Sequence, residues 1–113
     1  MSVGDFIDRY SILEIKSNKN LPVENELHEY IKKAADLEIL GLTLYKNILL
    51  AINECLWNLE DKKRMEVKRY TKEYSDVSTL ITQLNDLRFQ AKNKADIYFE
   101  SEIQERKSHK TTN

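Results

Sequence analysis

Apolar residues recur at helical spacing along most of the chain, and the places where that spacing fails mark the joints between elements. Val3, Phe6, Ile7, Tyr10 and Leu13 share one face of a first helix, predicted over Val3 to Asn18. Ser2 with Asp5 fits a capping box at its start, and Ser17-Asn18-Lys19-Asn20 supplies turn-prone residues to end it. Pro22 suits the first turn of a second helix, where its missing N–H is not needed. Glu24 and Glu26 then favour the positive end of that helix dipole, and Val23, Leu27, Tyr30, Ile31 and Ala34 form its apolar face. A break is expected between Asp36 and Leu42, near Gly41. A third helix, expected to be the longest, runs from there to about Tyr70 with Leu44, Ile48, Ile52, Cys55 and Leu59 as its main stripe. Ser75-Asp76 is expected to cap a fourth helix carrying Val77, Leu80, Ile81, Leu84, Ala91, Ala95, Tyr98 and Phe99 on one stripe. The tail from Gln104 is polar and expected to fray.

These elements predict an all-α fold: an antiparallel bundle of three to four helices with one long central helix, in one domain over residues 1–113. Composition agrees. Of 113 residues 41% are apolar and 33% charged, which supports a buried core, and two Gly with one Pro are too few for a turn-dense all-β fold. The 18 basic and 19 acidic side chains leave a net charge of −1. That balance lacks the basic excess of a protein that coats nucleic acid or an anionic membrane, so neither is expected as a partner. Cys55 is the single cysteine, which excludes an intramolecular disulfide and a CxxC metal site, and its apolar setting predicts a small core residue. No stretch approaches the roughly 18 apolar residues that span a bilayer. Met1 to Asp5 lacks the basic and apolar regions of a secretory signal. A cytoplasmic protein is expected.

Polar groups on apolar faces are the candidate chemistry. At about 100° per residue, Glu14 falls on the main face of the first helix, and Arg88 sits near the middle of the stripe of the fourth. Asn85 and Lys92 border that stripe. A charge inside a bundle is costly unless it is paired and hydrogen-bonded, so Arg88 is expected to meet a carboxylate from another helix, Glu14 first and Glu60 second. Such a pair fixes helix register. Alternatively, Glu14, Glu60, Asn85, Arg88 and Lys92 line a ligand pocket, where an Arg with a Lys one turn away suits a phosphate or carboxylate.

The third helix has a second surface, with Ile39, Leu50, Trp57 and Arg64 on roughly the opposite side from its main stripe. Ile12 and Ile15 likewise point away from the main face of the first helix. An exposed Trp57 and Leu50 are unusual for a monomer, so this face is expected to join two copies in a homodimer. Helices covering both faces within one chain is the alternative.

Other signals are weaker. Lys62, Lys63, Arg64, Lys68, Arg69 and Lys72 interleave with Glu60, Asp61, Glu66 and Glu73, which reads as a solvated, salt-bridged helix end. Glu24 and His28 are one turn apart, but a di-iron bundle needs two Glu-x-x-His motifs, so His28 is expected at the surface and no metal or cofactor is assigned. Glu26 and Glu29, then Glu73 and Asp76, have the spacings by which all-α nucleotide pyrophosphohydrolases of the MazG and dUTPase type hold Mg²⁺. The gap between the pairs is too long for that family. A Mg²⁺-dependent hydrolase is therefore the alternative to the expected function, a non-catalytic oligomeric module that binds a protein partner or a small anionic ligand.

Four motifs in order carry a resemblance to a known family. They are Ser2-Val3-Gly4 with Ser11-Ile12-Leu13-Glu14-Ile15-Lys16; Leu56-Trp57-Asn58-Leu59-Glu60-Asp61 with Arg64; Asn85-Asp86-Leu87-Arg88 with Lys92; and Glu105, Lys107 and Ser108. The set resembles the uncharacterised domain-of-unknown-function family DUF6165, small helical proteins of bacteria, some beside surface-polysaccharide genes, and of marine phages. The chain departs from that pattern at Asp96, where the family has Asn, and at Glu100, Arg106 and His109, where it has Gly, Glu and Tyr. The resemblance implies no known activity. It does mark Glu14, Arg88 and their neighbours, the same groups that helix geometry turns inward.

Overall fold

A computed structural model of the chain describes residues 1–37 and 41–111, with side chains through Glu100. Four helices follow one another: α1 (Val3–Asn18), α2 (Glu24–Leu37), α3 (Leu42–Met65) and α4 (Lys72–Thr111). Ser2 Oγ accepts from Asp5 N at 3.1 Å, the expected cap of α1. Asn20 turns the chain out of α1 with a φ of 62°, a conformation Asn tolerates better than most residues. Pro22 precedes α2 instead of entering its first turn. Gly41 opens α3 with a φ of 91°, where a side chain would be strained and would meet the Tyr98 ring.

The second half of the chain departs from expectation at two joints. α3 stops at Met65, short of Tyr70, and α4 begins at Lys72, ahead of Ser75-Asp76. The cap is Thr71, whose Oγ1 accepts from Tyr74 N at 3.1 Å, so Ser75 and Asp76 lie inside the helix. At 40 residues α4, and not α3, is the longest element. It runs through the segment expected to fray. At ~1.5 Å per residue its length sets the 64 Å long dimension of the molecule.

Contacts fix the directions. Ser17 reaches Glu24 and Phe6 stacks on Tyr30, so α2 runs antiparallel to α1. Gly4 meets Asp96 and Asp8 meets Arg88, so α4 is antiparallel to α1. Tyr45 touches Phe99 at one end of the α3–α4 pair while Leu56 clusters with Val77 and Ile81 nearer the other. The bundle is therefore antiparallel, and α1 is its hub, touching α2, α3 and α4. That position explains its two apolar sides: Ile7 and Leu13 are buried, and so is Ile15 on the side expected to face outward.

One core cluster joins Phe6, Ile7, Tyr10, Leu42, Leu49, Ala95 and Phe99; a second joins Leu56, Val77 and Ile81. The register of α3 corrects the expected one. Its buried residues are Leu42, Leu49, Asn53 and Leu56, whereas Leu44, Ile48 and Cys55 of the expected main stripe are exposed. α1 and α4 both approach α3 from the Leu49–Asn53 side, which turns Leu44, Ile48 and Cys55 away from the core.

Candidate functional site

Asp8 is the centre of the polar interior. It lies on α1 in line with Ile12 and Ile15, and is only 3% exposed. Arg88 of α4 holds it with two bonds, Nε to Oδ1 at 2.9 Å and Nη2 to Oδ2 at 2.7 Å. Asn53 of α3 donates from Nδ2 to Asp8 Oδ1 at 2.9 Å and to Ser11 Oγ at 2.8 Å. Ser11 Oγ in turn donates to the Asp8 carbonyl oxygen at 2.6 Å. Donors from α3 and α4 thus satisfy one buried carboxylate of α1, as a buried charge requires. The Asp8 hydrogen bonds raise the Arg88 pKa above its ordinary value, against the opposing effect of burial.

Arg88 therefore meets an interior carboxylate as expected, but the partner is Asp8 and neither Glu14 nor Glu60. Glu14 instead accepts from Lys46 Nζ at 2.8 Å, and that ammonium also lies 4.9 Å from the Tyr10 ring centre. Lys92 belongs to the other end of the same network, with Nζ 2.7 Å from Asp5 Oδ1 and 4.0 Å from Asp8 Oδ2. Beside it Gly4 N donates to Asp96 Oδ1 at 2.6 Å, so α4 caps a free N–H of α1. Asp96 performs that bond with the same oxygen an Asn would offer.

Next to this centre the three helices leave an open groove of about 420 Å³. Ile12, Ile15, Leu56 and Trp57 give it apolar walls. Asn53, Glu60, Asp61, Arg64, Asn85 and Arg88 supply the polar atoms. Three of the five expected ligand residues, Glu60, Asn85 and Arg88, come together here; Glu14 and Lys92 do not line it. Trp57 and Arg64, expected on an oligomer face, line the same groove. Trp57 is half-buried, with Lys19 Nζ 5.3 Å from its ring centre, so part of that face is covered within the chain. Leu50 is also half-buried, and Ile39 lies outside the described residues.

The cations near the groove are engaged. Arg64 pairs with Asp61, Arg88 with Asp8, and Glu60 forms no ion pair among the described residues. Formal charge in and behind the groove is thus two positive against three negative. In the basic cluster beyond it, Lys62 is 3.7 Å from Glu73, which offsets its charge, and Lys63 lies over the Tyr74 ring. His28, Glu26 and Glu29 are exposed on α2, and Glu73 and Asp76 are exposed on α4. Among the described residues no three His, Cys, Asp or Glu side chains gather as metal ligands would. No described helix is long and apolar enough to cross a membrane. Comparison with protein-family models, curated proteins and solved structures finds no match to the chain.

Proposed function

We propose that this protein is a non-catalytic helical module that binds a protein segment in the groove between α1, α3 and α4. The groove itself carries the reading. It joins apolar walls to convergent polar groups on rigid helices, at a volume within the range of ligand sites. Anion binding fits less well, because each cation expected to hold the anion already faces a carboxylate. The uncompensated Glu60 favours a segment with an apolar anchor for Trp57 and a Lys or Arg beside it.

Membership of DUF6165 is part of the proposal. Its support is that nine of the ten groove residues, all but Asn53, fall within the motifs that carry the resemblance. An unpaired, exposed thiol at Cys55 suits a reducing compartment, which favours the cytoplasm.

Trp57 is the only tryptophan, so its fluorescence reports on the groove. Peptides selected from a random display library against the whole protein should share an apolar residue next to Lys or Arg, shift that emission, and lose affinity in Glu60→Lys. Inorganic phosphate should leave the emission unchanged. Failure to enrich any such peptide, or peptides indifferent to Glu60→Lys, would overturn the reading. So would nucleoside triphosphate hydrolysis with Mg²⁺ that disappears in Glu14→Gln.

A further inference from the structure

The stripes that periodicity marks as core are not all covered by the chain. On α3, Leu44 is 62% and Ile48 41% exposed, with Cys55 exposed beside them. On α4, Leu80 is 47% and Leu87 50% exposed. The half-buried Ile52, Leu59 and Leu84 join the two rows, because they pack on the Leu56–Val77–Ile81 cluster from both helices. Helix geometry puts Leu44, Ile48, Cys55 and Leu59 on α3, and Leu80 and Leu87 on α4, along the same outer side of the pair. α1 occupies the inner side, and α2 rests on α1. None of the exposed residues lines the groove.

We propose that this outer α3–α4 face receives a second copy of the chain, in a twofold arrangement with the α4 helices antiparallel. Size and charge both argue for that occupant. The 24 residues of α3 span about 36 Å, and two adjacent helices are about 20 Å wide. The resulting face, about 700 Å², approaches the ~800 Å² per partner of a stable complex. Along α4, Asp76, Leu80, Gln83, Leu87 and Lys94 fall on one line, acid at one end and base at the other. Asp76 and Lys94 are exposed and form no ion pair among the described residues. An axis crossing α4 near Asn85, midway between them, sets each Asp76 against the Lys94 of the other copy. The same axis places Leu87 over the hollow beside Leu80 and Gln83 opposite. A parallel arrangement sets acid against acid. The pattern is therefore self-complementary in only one sense, as a twofold interface requires.

Light scattering on the full chain tests it. The wild type should show twice the 13.4 kDa chain mass. Leu87→Lys and Leu44→Lys, both at exposed positions, should each give the single-chain mass with unchanged helical circular dichroism. Asp76→Lys should raise the dissociation constant about tenfold or more, and Asp76→Lys with Lys94→Asp should bring it back to within about threefold of wild type. Trp57→Ala should stay dimeric, which separates this inference from the groove reading. A single-chain mass for the wild type at every concentration overturns the proposal. A dimer that survives both Leu→Lys variants overturns it too, as does a charge swap that fails to restore affinity.

Discussion

The two core clusters are built from the same kinds of helix and differ in depth. Where α1, α2, α3 and α4 converge, Ile7, Leu49, Ala95 and Phe99 lose all contact with solvent, and rings of Phe6, Tyr10, Tyr30, Tyr45 and Tyr98 surround them. Around Leu56, Val77 and Ile81 the cluster is carried by α3 and α4 alone, with smaller side chains and no fully buried one. Two helices enclose a line of contact, whereas three or more enclose a volume. Neither region uses up its apolar surface: Ile31, Leu44, Ile48 and Ile97 stay exposed beside the first cluster, and Leu80 and Leu87 beside the second. The polar centre at Asp8 sits between the two regimes and is built to interior standards because α1 still covers it.

The largest effect should come from removing Phe99. Phe99→Ala empties a fully enclosed site and should cost about 3–5 kcal/mol. Val77→Ala removes two methyl groups from the shallower cluster and should cost about 1.5 kcal/mol. Urea titrations of both variants check the contrast; equal costs would mean that the two clusters are one cooperative core of uniform depth.

Arg88→Met should come close behind. It leaves Asp8 buried and without its bidentate partner, a loss of about 3–5 kcal/mol. For a domain of this size the melting temperature should fall by more than about 10 °C. Replacing both residues, Arg88→Met with Asp8→Leu, should recover much of the loss, since no stranded charge remains. An unchanged melting temperature in the single variant would show that Arg88 is held for binding and contributes little to the fold.

Gly4→Ala probes how tightly α1 sits on α4. A Cβ there would collide with the Lys92 carbonyl oxygen and stand 2.9 Å from Asp96 Oδ1. Backbone cannot give way as a side chain can, so the helices must separate, at about 1–3 kcal/mol. A variant as stable as the wild type would mean that the α1–α4 seam is loose, unlike the enclosed cluster beside it.

Much of this arrangement is legible in the sequence, and the failures have physical reasons. α1 begins after Ser2 and ends at the Lys19–Asn20 turn, as their chemistry says it should, because capping is local. Thr71 does not stand out as the cap of α4, since Ser75 and Asp76, four and five residues on, are equally good cap residues in isolation. Arg88 stands out as a cation within an apolar stripe. Its partner does not, because Asp5, Asp8 and Glu14 differ only in the direction they face once α4 is in place. A clue existed: Asp8 is in line with Ile12 and Ile15, the second apolar side of α1. The register of α3 failed most instructively. Leu44, Ile48 and Cys55 make a better hydrophobic stripe than the one containing Asn53, and periodicity has no means of knowing that Asn53 serves Asp8. The stripe is apolar as its spacing says, but the chain leaves Leu44, Ile48 and Cys55 exposed.

The smallest predicted effect lies at the rim of the polar centre. Asp5 accepts from Lys92 at 2.7 Å, and that hydrogen bond holds its carboxyl below the ordinary value of 3.8. In the unfolded chain the group returns to that value. A carboxyl with a depressed folded pKa stabilises the fold above its unfolded pKa, and this contribution disappears as pH falls through the lower folded one. The window therefore opens below about pH 4. The Asp5 side chain is nearly half exposed, so solvent screens the pair and the contribution should stay below about 1 kcal/mol. Asp5→Asn should lower stability slightly at neutral pH and flatten the acid limb of the stability curve below pH 4. The check is the denaturation midpoint of both proteins across that range. If the two curves run parallel, Lys92 is held by Asp8 alone, and the polar centre extends to the surface without help from Asp5.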